Sequence, residues 1–173
     1  MKKIVVNDTN VFIDLYEVGL LEEFFSLPWE VHTTDFVMLE LQREGQHETV
    51  AKYKADKRLV VPVLEAKAMS EIGVLYQQIM NRTNLSLTDC SVWYYAKVNN
   101  CILLTGDRKL RTVSAYDGVE VHGVIYVFDT LVEFEIISRQ LAVEKLQQLY
   151  NLNHRLPKEE IYKRINSWKA EMK

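Results

Sequence analysis

Short β-branched runs alternate with longer stretches of helical period, and that alternation leaves few architectures open to this chain. Residues 4–6 (Ile-Val-Val), 30–33, 59–63 and 101–104 read as strands. The apolar runs at 4–6 and 59–63 suit parallel strands buried on both faces. Residues 119–121 and 124–127 are later strand candidates. Helices are predicted over residues 11–16, 20–25, 35–41, 47–54, 65–80 and 86–98, and again from residue 108. From residue 130 the chain reads as helical to its end, broken near 151–157. The order β-α-α-β-α-α-β-α-α-β-α-β-α-α-α implies an α/β fold, a parallel sheet with right-handed crossovers and helices on both faces.

Composition narrows the function classes. Of 173 residues, 48% are hydrophobic and 26% charged, which excludes disorder as the main state. Gly 6 and Pro 3 are too few for an all-β fold of many tight turns. No segment approaches the roughly 18 uncharged apolar residues of a membrane span. The opening Met-Lys-Lys-Ile-Val-Val-Asn-Asp is a strand rather than a signal peptide. Cys90 and Cys101 can make neither a disulfide framework nor a thiolate zinc site, and they fit a reducing, cytoplasmic setting. Lys+Arg 21 against Asp+Glu 24 gives a net charge of −3, which excludes a generally basic nucleic-acid coat. A nuclease is still allowed, because it needs only a local positive rim to hold a few phosphates.

The informative feature is where four acids fall. Asp8 follows the first strand, Glu40 lies on the helix after the second, Asp89 is in the first turn of the helix opened by Ser86, and Asp107 follows the strand ending at Leu104. Strand ends and the helix N-termini that follow them share one edge of an open parallel sheet, where ligands bind. Glu40 reaches that edge only if its helix leans across it, and Asp35 and Glu44 are its rivals. Each acid also has an ordinary explanation. Asp8 is a good helix cap, Asp89 is favoured by its helix dipole and a capping box with Ser86, and Asp107 suits a turn.

Four carboxylates in one place repel, and a hard dication removes the repulsion. Oxygen ligands select Mg²⁺ or Mn²⁺ over zinc, and His32, His47, His122 and His154 are scattered. Such a site beside phosphate supports phosphodiester hydrolysis.

The segments carrying these acids are Asp8-Thr9-Asn10-Val11-Phe12-Ile13, Val37-Met38-Leu39-Glu40-Leu41, Leu87-Thr88-Asp89 with Ala96 beyond it, and Leu103-Leu104-Thr105-Gly106-Asp107. In order and approximate spacing, over residues 1 to about 130, they resemble the PIN-domain family of metal-dependent ribonucleases, especially the bacterial toxins of VapC type. The resemblance implies a three-layer α/β/α fold around a central sheet of about five parallel strands. It implies Asp8, Glu40, Asp89 and Asp107 as metal-binding catalytic residues, with Asn10 and Thr105 in support. It also implies cleavage of single-stranded or loop RNA and neutralisation by a small antitoxin protein.

Other residues carry weaker expectations. Arg108, Lys109, Arg111 and Arg43 are candidates for contact with an RNA backbone. Trp93, Tyr94 and Tyr95 read as core rather than as a base-stacking platform. A nuclease domain over residues 1–138 and a helical hairpin over 139–173 are expected. In that hairpin Leu141, Leu146, Leu149 and Leu152 face Ile161, Ile165, Trp168 and Met172, and pack on the domain or serve a homodimer or partner. Two competing functions are weighed. A haloacid-dehalogenase-like phosphatase needs a second Asp where Asn10 stands. A PIN-like binding scaffold keeps the acids without the chemistry.

Overall fold

The computed structural model describes residues 3–41 and 45–172. Its centre is a five-stranded parallel sheet in the order β3-β2-β1-β4-β5. The strands are β1 (Lys3–Asn7), β2 (Trp29–His32), β3 (Leu59–Val60), β4 (Ile102–Leu104) and β5 (Val121–His122). β1 pairs with β2 through Val5↔Val31 and with β4 through Val5↔Ile102 and Asn7↔Leu104. It is the central strand, and Val5 and Val6 are wholly buried.

The helices are α1 (Thr9–Glu17), α2 (Leu21–Ser26), α3 (Asp35–Glu40), α4 (Gln46–Ala55), α5 (Ala66–Ile79), α6 (Leu87–Asn99), α7 (Arg108–Tyr116), α8 (Val124–Glu133), α9 (Arg139–Leu152) and α10 (Lys158–Glu171). From β1 the chain winds outward through β2 to β3, then returns across the sheet to β4 and β5. Right-handed crossovers therefore place α1–α4 on one face and α5–α7 on the other. The winding direction reverses between β1 and β4, so the carboxyl ends of these two strands form the crevice in which α/β sheets bind ligands. No helix among the described residues is long and apolar enough to cross a membrane.

The expected α/β order is present, with three corrections. The strand expected over 59–63 is only Leu59–Val60, at the sheet edge, because Pro62 offers no N–H to a ladder; Val63 beyond it is 86% exposed. The strand candidate at 124–127 is the first turn of α8. Gly123 caps that helix, and Val124, Val127, Phe128 and Leu131 bury one side at helical spacing. A β-branched run that is apolar all round hides that spacing. The helical region after residue 130 has an extra break, at residues 134–138, where Glu135 takes φ 55.

The C-terminal helices form an antiparallel pair, with Arg139 near the start of α9 bonded to Glu171 at the end of α10 (2.8 Å). Leu146, Leu149, Ile161, Ile165 and Trp168 are buried in the same continuous apolar cluster as the sheet. The ends of the expected stripes are not: Leu152 and Met172 are exposed. α9 packs on α8, and Arg164 of α10 reaches Asp129 of α8 at 2.8 Å. Ile165→Ala is expected to cost about 2–5 kcal/mol. It should lower one cooperative urea transition seen alike by tryptophan fluorescence and far-UV circular dichroism. Two separated transitions would show that the helical pair folds independently of the sheet.

Candidate metal and phosphodiester site

The β1–β4 ladder runs on past the strands. Asp8 N–H donates to the Leu104 carbonyl (2.9 Å), which sets Asp8 beside Thr105 at the crevice. Asp8 caps α1, with its Oδ1 accepting from Thr9 N–H (2.8 Å). Its Oδ2 accepts from the Thr105 hydroxyl (2.7 Å) and, at the long distance of 3.4 Å, from the Asn10 amide. The same Thr105 hydroxyl accepts from the Asp107 N–H at 3.0 Å. One hydroxyl thus ties together two of the acids expected at this edge. Asp107 caps α7 through Oδ1 to Leu110 N–H (2.8 Å).

Glu40 is the last residue of α3, on the sheet's exposed rim. α1 and α3 pack together, and the Thr9 hydroxyl donates to Glu40 Oε2 at 2.8 Å. The helix therefore does lean across the edge, and Thr9 is the residue that fastens it. Sequence reading passes over Thr9, because a hydroxyl between two stronger candidates carries no signal of its own. Asp89 lies in a complete capping box at the start of α6: Ser86 N–H donates to its Oδ2 (2.6 Å), and its own N–H donates to Ser86 Oγ (3.1 Å). The hydroxyls of Thr34 and Ser91 bond at 2.7 Å, linking the start of α3 to α6.

All four acids share one electrostatic field. Burial pushes the Asp8 carboxyl up to about 7 against the opposing pull of Thr105, and the charges of Asp89 and Glu40 push it further. Burial likewise raises Asp89, opposed by Ser86 and reinforced by the charges of Asp107 and Glu40. Yet among the described residues no three His, Cys, Asp or Glu side chains converge closely enough to hold an ion as they stand. The reason is local. Asp8, Asp89 and Asp107 are each turned onto a helix N-terminus, so capping and repulsion together hold them apart.

One oxygen of each of three acids is still left over. Asp89 Oδ1, Asp107 Oδ2 and Glu40 Oε1 accept no hydrogen bond among the described residues. Hard carboxylate oxygens around a buried, reluctantly ionised Asp8 are chemically suited to Mg²⁺ or Mn²⁺.

The other candidates divide. Arg108 is exposed at the start of α7 beside Asp107, and Lys109 is exposed next to it. Arg111 extends to the β5–α8 turn, where its Nη1 lies 3.2 Å from the place a Cβ on Gly123 would occupy. Asp35 is exposed at the first residue of α3. Arg43 and Glu44 lie outside the described residues. Trp93 and Tyr95 are core, and Tyr94 donates to Glu71 at 2.7 Å.

Because the folded pKa of Asp8 lies above the ordinary 3.8, the folded protein keeps a proton that the unfolded chain has released between about pH 4 and pH 7. Stability therefore falls as pH rises through that window, by up to about 4 kcal/mol from this group. Asp8→Asn is expected to raise the melting temperature at pH 8 in metal-free buffer and to bring little gain at pH 4, read by scanning calorimetry. An equal effect at both values would remove the assigned cause.

Three comparisons bear on this geometry. A family model described as DUF3368, a PIN domain, matches residues 4–170. No curated protein is significantly similar in sequence. Among solved structures, PAE2754 from Pyrobaculum aerophilum is similar with a TM-score of 0.55 and 14% identity, covering 77% of this chain and 99% of that one. VapBC2 from Rickettsia felis, bound to a DNA fragment from its promoter, gives a TM-score of 0.48 and 16% identity over 69% of this chain and 98% of that one. The first likeness concerns the fold, and the family match spans nearly all of the sequence, the α9–α10 pair included: the chain belongs to the PIN-domain family.

Proposed function

We propose that the protein is a Mg²⁺- or Mn²⁺-dependent endoribonuclease of the cytoplasm, and that it acts as the toxin of a toxin–antitoxin pair. PIN domains are generally nucleases, and this chain keeps the acids that such chemistry needs. The observation that carries the reading is the gathering of acids at the β1–β4 crevice, where burial and the charges of Asp89 and Glu40 raise Asp8, and burial and the charges of Asp107 and Glu40 raise Asp89. When bound there, a dication would lower the pKa of a water and neutralise charge growing on the phosphate and the leaving oxygen. Asp8, Asp89, Asp107 and Glu40 would hold it. Thr9 fixes the directions of Asp8 and Glu40, and the Thr105 hydroxyl holds the Asp8 carboxylate while receiving the backbone N–H of Asp107. Asn10 and Arg108 line the cleft beside the acids, and with the exposed Lys109 they are the residues we assign to the phosphate chain. The toxin role rests on the resemblance of the acid-bearing segments to VapC-type toxins.

Purified protein should cut single-stranded RNA with Mg²⁺ or Mn²⁺ and be silenced by EDTA. Asp8→Asn and Asp89→Asn should each lose at least about 100-fold in rate. Activity equal to that of the parent in both variants would remove the mechanism. The toxin role is checked by growth arrest on induced expression and its relief by a neighbouring gene product.

One observation favours a second reading, a PIN-like scaffold without catalysis: no three acids converge among the described residues. Thermal melting separates the two. A working site should gain about 1 kcal/mol or more from excess Mn²⁺, and Asp8→Asn should abolish the gain. A scaffold should gain nothing.

A further inference from the structure

Next to the acids lies a cleft of about 540 Å³, whose outer wall has no part in the metal site. One wall comes from α1 and the β4–α7 turn, with Asn10, Asp107 and Arg108; the other comes from the end of α9 and the connection to α10, with Leu152, Asn153 and Arg155. We infer that this cleft is a nucleotide subsite, in which the C-terminal helical pair holds the RNA residue next to the scissile phosphate. The inference rests on the ribonuclease reading and adds to it the part of the substrate that the C-terminal helices recognise.

Four observations converge on it. First, the cleft is continuous with the site, since Asn10 and Asp107 belong to both. A strand whose phosphate lies among the acids enters the cleft with its next residue. Second, each wall carries an exposed arginine, Arg108 and Arg155, and neither forms an ion pair among the described residues. In a chain of net charge −3 three other arginines do find carboxylates: Arg58 finds Glu22, Arg139 finds Glu171 and Arg164 finds Asp129. Two free guanidinium forks flanking a cleft are the donors that phosphate oxygens take.

Third, the lining between them is mixed: Asp14 and Glu17 of α1 lie along it, and an apolar strip runs beside them. Leu152 is 57% exposed at the end of an otherwise buried stripe, and Ile13 and Leu156 lie half-buried beside it. A sugar and base would cover that surface, and the volume is in the range of small-ligand sites, roughly 300–1,000 Å³.

Fourth, the outer wall is fixed in place. The Asn153 side chain donates to Asp14 Oδ1 on α1 (3.0 Å), and its carbonyl oxygen accepts from the Arg155 N–H (3.2 Å). The Asp14 carboxyl that anchors it is buried. One side chain thus clamps the connection to α1 and sets the position of Arg155, which cuts the ordering cost of binding.

The test uses the full chain carrying Asp8→Asn, so that RNA is bound but not cut. A short fluorescein-labelled single-stranded RNA of mixed sequence is titrated by anisotropy across a salt series. Adding Arg155→Ala should weaken binding at least about fivefold. It should also make the slope of log K against log salt shallower by about 0.7, the value for one phosphate contact on a single strand. Leu152→Asp should weaken binding with no shallower slope. Lys67→Ala, at a side chain 85% exposed on α5, should change affinity less than about twofold. The subsite is overturned if Arg155→Ala leaves affinity and slope unchanged, the result expected if a protein segment rather than RNA occupies the cleft. It is also overturned if Lys67→Ala loses as much. RNA cleavage by the parent chain together with an inert Arg155→Ala defeats the subsite alone. A parent that neither cuts nor binds the RNA defeats the ribonuclease reading as well.

Discussion

The carboxylate of Asp8 is the constraint around which the rest is arranged. It sits 1% exposed at the point where the sheet changes winding direction, and burial alone drives it toward the neutral form. Two bonds oppose that drive, one from the backbone of Thr9 and one from the Thr105 hydroxyl. Because Thr105 also receives the Asp107 N–H, the turn after β4 is built onto the turn after β1. The cost of burying this acid is therefore offset from two strand exits.

Capping does not use up these acids. Asp8, Asp89 and Asp107 each satisfy the N–H groups of a helix start, the job that any surface Asp does. A parallel sheet then places those helix starts along one edge, so residues chosen locally as caps become neighbours globally. Each cap engages one carboxylate oxygen, and in Asp89 and Asp107 the other is left over. Asn7, wholly buried one residue before Asp8, shows the tension in this region: neither its Nδ2 nor its Oδ1 finds a partner among the described residues.

Much of this was legible in the sequence because the signals are local. The strand-then-Asp pattern at Asp8 and Asp107 and the Ser86–Asp89 box depend on a few adjacent residues. What stayed hidden depends on distant ones. Whether Glu40 reaches the edge turns on Thr9, 31 residues away in the chain. α8 was disguised because Val124, Ile125 and Val127 favour strands locally, whereas packing of Val124, Val127, Phe128 and Leu131 imposes the helix. Arg155 falls in what reads as a mere helix break. The bond from Asn153 to Asp14, 139 residues away in the chain, ties that break to the first helix.

The C-terminal pair is closed on itself by Arg139 to Glu171 where the helices open, and is pinned to the rest of the fold at two separated places: by Arg164 to Asp129 along its length and by Asn153 to Asp14 at its bend. An arm held both at its bend and along its length has no free hinge about which to swing. The wall that its bend adds to the cleft beside the first helix is therefore of fixed width.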